Sequence, residues 1–431
     1  MNKTTLFSII VVALLGLSPA SANTVIYRFA KIIDGTGEVL DAHDIAVENK
    51  HITAVGNDLE KSISAPVVVM VGLTALPGLI DAHTHITYGL AAYPDGDAWA
   101  ALGKVERAER YEASKENALK TLQTGVTTVR DLNADQRLDF DLKTAIISGK
   151  VPGPRIYTSG PGIHPFNDPL PEGMEMATAD FLTQAAEKRI AMGADWIKIF
   201  GTTGSASDLT SRAYYSAEAI TAAADAAKKA GIRITVHTYG PEAVDAAIAA
   251  GVTSIDHPVG MSGAQMKAMA SSGIIYIPTI DHNRYYAQHG SEYGYGADVQ
   301  ANLHVFVGRN IETARRAHAA GVTVAMGSDA VLSGFGENTC ELKAFTAAGM
   351  STAEAIQTAT INGAKLLGED DNLGRLQPGF EADFVAVSGD PLTNISAVTD
   401  GVTVVMKAGV LVIDHRTDIS QINKPNCGTL Y

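Results

Sequence analysis

The stretches AGIRITVHT (residues 230–238) and AGVTSIDHP (residues 250–258) decide the fold. In each, a helix-forming stretch runs out at a glycine, a short apolar strand follows, and a polar residue closes it. Glycine suits that junction because it adopts the left-handed conformation that ends many helices. A histidine stands six residues past the glycine in both, His237 after Gly231 and His257 after Gly251. The same grammar returns in TGVTTVRD (124–131), MGADWIKIF (192–200), SGIIYIPTID (272–281) and AGVTVAMGSD (320–329). Two further strands start after proline, in PGLIDAHTH (77–85) and PRIYTSG (154–160). Eight strands, with helix-forming runs such as SAEAITAAADAAKKA and PEAVDAAIAA between them, predict an α/β chain: a (β/α)8 barrel over residues 77–372. A doubly wound open sheet is the competing topology, but no glycine-rich phosphate fingerprint follows the first strand.

The flanks read differently. Residues 23–76 and 373–416 are short β segments without helical period, and they are expected to pair into one small β-sandwich built from both chain ends. The tail, 417–431, is polar and expected to be irregular. Residues 1–22 have Lys3 near the start, an apolar run from Leu6 to Leu17 and an Ala20-Ser21-Ala22 close, the layout of a secretory signal cut after Ala22. That run is well short of the ~20 residues a membrane span needs, so an exported protein, periplasmic or secreted and without a span after signal cleavage, is expected.

Hydrophobic residues make up 46% of the 431-residue chain and charged residues 19%, an ordinary globular balance. The formal net charge of -14 argues against a nucleic-acid partner. Two cysteines exclude a disulfide scaffold and a cysteine-rich metal motif. Cys340 and Cys427 are predicted to lie close enough to bridge in an oxidising compartment.

Barrel active sites form where strands end. Those positions here hold His83, His85, Lys198, His237, His257 and Asp329. Residues i and i+2 of a strand share a face, so His83 and His85 both point to the mouth, and paired neutral imidazoles suit a metal such as zinc. Taken alone the pair is a weak signal, and two satisfied histidines are the commoner explanation. Lys198 sits mid-strand among apolar neighbours, with Ile197 and Ile199 expected to face outward. Either its ammonium reaches solvent at the mouth, or it reacts with CO2 to become an anionic carbamate able to bridge two metals. Asp329 closes the last strand, where a carboxylate can ligate metal and take a proton, or simply cap a helix.

HxH after the first strand, Lys after the fourth, His after the fifth and sixth, and Asp after the eighth resembles the metal-dependent amidohydrolase superfamily. The resemblance extends to GRLQPGFEADFVAV in the C-terminal flank. More narrowly, VHTYGPEAVDAAIAAGVTSIDHP and ATINGAKLLGEDDNLGRLQPG look like the prolidase-like and imidazolonepropionase-like metallocarboxypeptidases, which have ochratoxin-hydrolysing relatives. The resemblance implies two divalent metals, zinc being expected, with His83, His85 and Asp329 on one, His237 and His257 on the other, and carboxylated Lys198 between. The branch usually has Glu-His-Gly after the sixth strand and a Gly- and His-rich loop after the third. Here the residues are Asp256-His257-Pro258 and GIHPFNDPLPEG, which puts substrate identity in doubt.

Two cations sharing a water supply hydroxide near neutral pH. Asp329 is expected to take the proton and return it to the leaving amine. The expected substrates are dipeptides or N-acyl amino acids. A lactonase or phosphotriesterase, or a mononuclear deaminase, are the alternatives. Tyr239, two residues past His237, is implied by the HxY pattern to contact substrate, though spacing alone equally allows a packing role. Arg284 and Tyr285, in the tyrosine-rich DHNRYYAQHGSEYGYG after the seventh strand, and His164 in the third loop are further substrate-contact candidates. That tyrosine-rich segment reads either as a lid over an apolar substrate bearing a carboxylate or as a surface loop. Nothing in the sequence fixes the number of subunits, and a homo-oligomer is compatible with it.

Overall fold

The computed structural model describes residues 24–90, 96–172, 177–203 and 211–428. The signal segment, 1–22, lies outside the described residues. No helix among the described residues is long and apolar enough to cross a membrane.

Both chain ends do meet in one β unit. Strands β1 (Thr24–Ile32), β2 (Asp44–Glu48), β3 (His51–Gly56) and β4 (Val67–Pro77) come from the N-terminal flank. A single seven-stranded sheet joins these four to three strands of the C-terminal flank. Its centre is β4, parallel to β1 on one side and antiparallel to the C-terminal strand Phe384–Ser388 on the other. The strands of the two flanks are hydrogen-bonded in one continuous order because β4 offers an edge to each, and the His51–Glu381 bridge brings β3 back to the C-terminal flank. Tyr27, Phe29, Met70, Phe384 and Met406 pack as a separate apolar cluster on it.

β4 passes through Gly78 directly into β5 (Leu79–Thr84), the strand that carries His83. A Cβ at Gly78 would come within 2.3 Å of the Thr127 hydroxyl, so only glycine fits between the two units. β5 then pairs in parallel with β6 (Val126–Asp131), and β6 with β7 (Arg155–Thr158). A second parallel sheet runs through β8 (Trp196–Phe200), β9 (Arg233–His237), β10 (Ser254–Asp256) and β11 (Ile275–Ile277). Isolated parallel bridges, Ile163 to Ile199, Tyr276 to Val324 and Thr84 to Ala330, connect the two sheets in barrel order. No continuous ladder closes the ring among the described residues.

The eighth expected strand, 322–329, makes only such bridges. Ala325 and Asp329 give their N–H groups to the Tyr276 and His83 carbonyls of the flanking strands, but Met326 N–H goes to the Thr358 carbonyl (3.0 Å) and Ser328 N–H to the Asp81 carboxylate (2.9 Å). The remaining flank strands are β12 (Phe384–Ser388), β13 (Val402–Lys407) and β14 (Val410–Asp414). Ile197 and Ile199 join the apolar cluster that includes Leu182, Ala186, Ala219 and Ala223 of neighbouring helices, which leaves Lys198 on the opposite face, as the period of two requires. Cys340 and Cys427 are bonded, tying the tail to the helix Cys340–Ala347.

Candidate metal centre

Strand ends bring four imidazoles into a row. The His85 and His83 ring centres are 5.3 Å apart, His83 and His257 4.7 Å, and His257 and His237 4.5 Å. Asp329 faces the row: its Oδ1 lies 3.0 Å from His85 Nε2 and 3.5 Å from His83 Nε2. Asp329 caps no helix; its own N–H donates to the His83 carbonyl at 2.7 Å. Ligand atoms of His83, His85 and Asp329 all fall within 4.8 Å of one another.

The backbone is strained here. His257, Thr279 and Asp329 adopt φ of 73°, 49° and 53°, left-handed values that a side chain disfavours by on the order of 1–3 kcal/mol each. Asp81 supplies part of the restraint. Its Oδ1 accepts from Ser328 N–H, and its Oδ2 from the Ser328 hydroxyl (2.6 Å) and Asn338 Nδ2 (3.0 Å). That carboxylate clamps the segment bearing Asp329 to the strand bearing His83.

Burial drives three of the imidazoles, His83, His237 and His257, to the neutral form. It takes His83 and His237 well below the ordinary histidine value, and His257 to about 3 in spite of Asp329. Burial pushes Asp329 the other way, but His282, His85 and His257 outweigh it and hold the carboxylate ionised. Both ring nitrogens of His83 and Nδ1 of His85 are buried with no hydrogen-bond partner. Neutral imidazoles with idle lone pairs beside an ionised carboxylate fit a divalent cation.

Lys198 is fully buried and donates from Nζ to Asp256 Oδ2 at 2.7 Å. Asp256 Oδ1 also takes Arg130 Nη2 at 3.2 Å, and Arg130 lies over the Trp196 ring. Two buried cations thus share one carboxylate. Asp256 stays ionised, since Lys198 and Arg130 outweigh its burial, while burial depresses Lys198 below the ordinary lysine value.

The other candidates divide. β9 ends at His237, yet Tyr239 still packs on the row, edge-on to His237 (4.7 Å) and stacked on His257 (5.2 Å). His164 lies further out, against Phe200, which in turn packs on His237; its Nδ1 accepts from Phe166 N–H. Arg284 is engaged elsewhere. Its guanidinium pairs with Asp281 (2.6 Å) and Glu337 (3.0 Å) and donates to the Asn426 carbonyl (3.2 Å), so it anchors the tail. Tyr285 lines the small cavity beside Asp329, but its hydroxyl is within hydrogen-bond distance of Tyr293 and Ser333. The expected lid begins as a buried helix, Ile280–Gln288, whose Tyr285 and Tyr286 join Tyr88, Leu102 and Leu332 in an apolar cluster.

One residue was not singled out by its sequence context. His282, on that helix, places Nε2 3.2 Å from Asp329 Oδ2. Its only signal is a histidine a few residues past a strand end.

The pattern of the amidohydrolase family matches residues 74–412. The chain belongs to the amidohydrolase family. Within it the relatives are prolidase-like. A Xaa-Pro dipeptidase structure with bound methionine is 30% identical, with a TM-score of 0.80 over 90% of this chain and 99% of its own. A prolidase complexed with N-methylphosphonate-L-proline is 25% identical, with a TM-score of 0.81 over 91% of this chain and all of its own (100%). The ochratoxinase of Aspergillus niger is 26% identical over 90% of this chain and 86% of its own length. This amidohydrolase is accordingly a metal-binding hydrolase, with His83, His85 and Asp329 its candidate metal site.

Proposed function

We propose that this amidohydrolase is an exported, binuclear enzyme that cleaves the amide bond of dipeptides or N-acyl amino acids, with ochratoxin-type amides in the same class. The row of four imidazoles facing one ionised carboxylate carries the reading: it offers ligands on both sides of His83. The names of the similar dipeptidase, prolidase and ochratoxinase support the amide class. Two divalent cations, zinc by expectation, would polarise the scissile carbonyl and acidify water.

The chain's own residues do the rest. His83, His85 and Asp329 would hold one cation and His237 and His257 the second, and Lys198, once carboxylated, would supply a further anionic ligand. Lys198 is suited to that reaction: burial, with Arg130 nearby, weakens its hold on a proton against the pull of Asp256, and the neutral amine can add CO2. Asp329 takes the proton of the attacking water and delivers it to the amine nitrogen as the C–N bond breaks. Tyr239, stacked on His257, is placed to meet the substrate. Carried through, the two parallel sheets close as a (β/α)8 barrel, and cleavage after Ala22 releases a protein without a membrane span that meets its small-molecule or dipeptide substrate outside the cytoplasm.

The test is hydrolysis by metal-depleted, zinc-reloaded enzyme of a panel of Xaa-Pro and other dipeptides, N-acyl amino acids, lactones and a phosphotriester. Metal-dependent cleavage of the amides is expected; turnover confined to the esters overturns the substrate class. A single-metal enzyme is the second reading, favoured by the Lys198–Asp256 pair, and one metal per active chain would establish it.

A further inference from the structure

Asp329 has two oxygens and two expected tasks, and the tasks are compatible only if each oxygen keeps its side. Oδ1 faces His85 and His83. Oδ2 lies 3.2 Å from His282 Nε2 and 3.8 Å from His257 Nδ1. The second contact is beyond hydrogen-bond range, and His257 Nδ1 already has the Thr279 hydroxyl at 2.6 Å. His282 is therefore the ring that can fix Oδ2.

The imidazole is itself held. It is 5% exposed, and the Tyr286 ring meets it edge-on at 4.4 Å. The first turn of its helix is gripped by Glu341, whose Oε1 and Oε2 accept the N–H groups of Ile280 (2.9 Å) and Asp281 (2.7 Å). Glu341 follows Cys340, one end of the disulfide. A buried ring packed on Tyr286, carried by a helix whose first turn is gripped, and with Nε2 3.2 Å from one carboxylate oxygen is an arrangement that sets geometry.

We propose that His282 is the positioning residue of Asp329: its Nε2 holds Oδ2, so that Oδ1 is the oxygen turned to His83 and His85. The inference rests on the proposed metal centre, and within it His282 is not a ligand but acts through Asp329. A misaimed carboxylate slows the proton steps without weakening substrate binding equally.

Four variants of the full exported chain test this: His282→Phe, His282→Gln, His282→Asn and, as a check on the centre itself, Asp329→Asn. Phenylalanine keeps the ring shape and removes the donor. The glutamine amide nitrogen reaches the place of Nε2, whereas that of asparagine falls short. The readouts are zinc per chain after dialysis, the rate of zinc loss to a chelator, Tm, kcat and KM on the best amide substrate. For His282→Phe we expect wild-type zinc content, faster zinc release, kcat down roughly 10- to 100-fold and KM within about 3-fold. Glutamine should recover most of kcat and asparagine little. Loss of a whole equivalent of zinc in His282→Phe would make the residue a ligand and overturn the proposal. Wild-type kcat in that variant, or equal kcat in the glutamine and asparagine variants, would overturn it too; the latter comparison stands even if His282→Phe does not fold. An Asp329→Asn enzyme with full zinc and full turnover would overturn the metal centre instead, which separates the two failures.

Discussion

Lys198 Nζ donates to Asp256 Oδ2 at 2.7 Å, and both side chains are entirely out of solvent. The lysine expected to bridge two metals is thus seated on a carboxylate. That seat is shared with Arg130, so the lysine can leave it without stranding a buried anion.

Metal loading should therefore depend on CO2. Apoenzyme freed of metal and CO2 should regain two zinc ions and turnover only when bicarbonate accompanies the metal. Lys198→Ala should fold, because Arg130 still neutralises Asp256, and should lose most bound zinc and nearly all activity. Lys198→Arg should fail as well, since a guanidinium stays protonated and cannot form a carbamate. Zinc stoichiometry beside kcat decides: two metals and full turnover in the arginine variant would remove the bridge from the mechanism.

The gathering of these histidines at one end of the strands was legible because strand chemistry is periodic. His237 and His257 stand at one offset from their glycines, and His83 and His85 share a face by a period of two. What was illegible depends on contacts between distant segments. Nothing in PTIDHNRYY says that Glu341 grips the start of a helix there, and so turns His282 to Asp329. Nor does it say that Asp281 and Glu337 occupy Arg284, which local sequence offers as a cation for substrate. The eighth strand reads as a strand, but Ser328 gives its N–H to Asp81, 247 residues away, and the ladder breaks.

Reduction should loosen the same region. The Cys340–Cys427 bond spans 87 residues and lies beside the Arg284–Asn426 contact and the grip of Glu341 on the helix Ile280–Gln288. Closing so long a loop stabilises by about 2–4 kcal/mol. Cys340→Ser with Cys427→Ser, or wild type in reductant, should unfold at lower denaturant by that amount in equilibrium titrations. An unchanged midpoint would mean that the tail is held without the bond.

A buried acid pair should make stability fall as pH rises. Burial lifts Asp139 to about 7 and, with Asp139 beside it, Asp131 well above the usual range. Asp131 Oδ2 and Asp139 Oδ1 are both buried without a partner. A carboxyl raised in the folded state contributes fully below its unfolded value, about 3.9, and the contribution is lost as pH rises through the folded value. For Asp139 the window runs from about pH 4 to 7. Asp139→Asn keeps an oxygen for Gly160 N–H and cannot ionise. Its Tm should fall less than that of wild type between pH 5 and pH 8; parallel curves would reject the assignment.

Tyr239 separates two roles that one ring can play. Its face stacks on His257 at 5.2 Å, its ring meets His237 edge-on at 4.7 Å, and Phe306 closes the far side at 5.9 Å. The ring thus supports two proposed ligands, while the hydroxyl is what substrate would use. Tyr239→Phe keeps the support and removes the hydroxyl. It should retain zinc and lose kcat/KM by the value of one hydrogen bond to a charged group, roughly 1.5–3 kcal/mol, or about 10- to 150-fold. Tyr239→Ala removes the support too, and should lose zinc as His237 and His257 gain freedom. If Tyr239→Phe matches wild type on the best substrate while Tyr239→Ala loses metal, the residue is a prop for its two histidines and makes no contact with substrate.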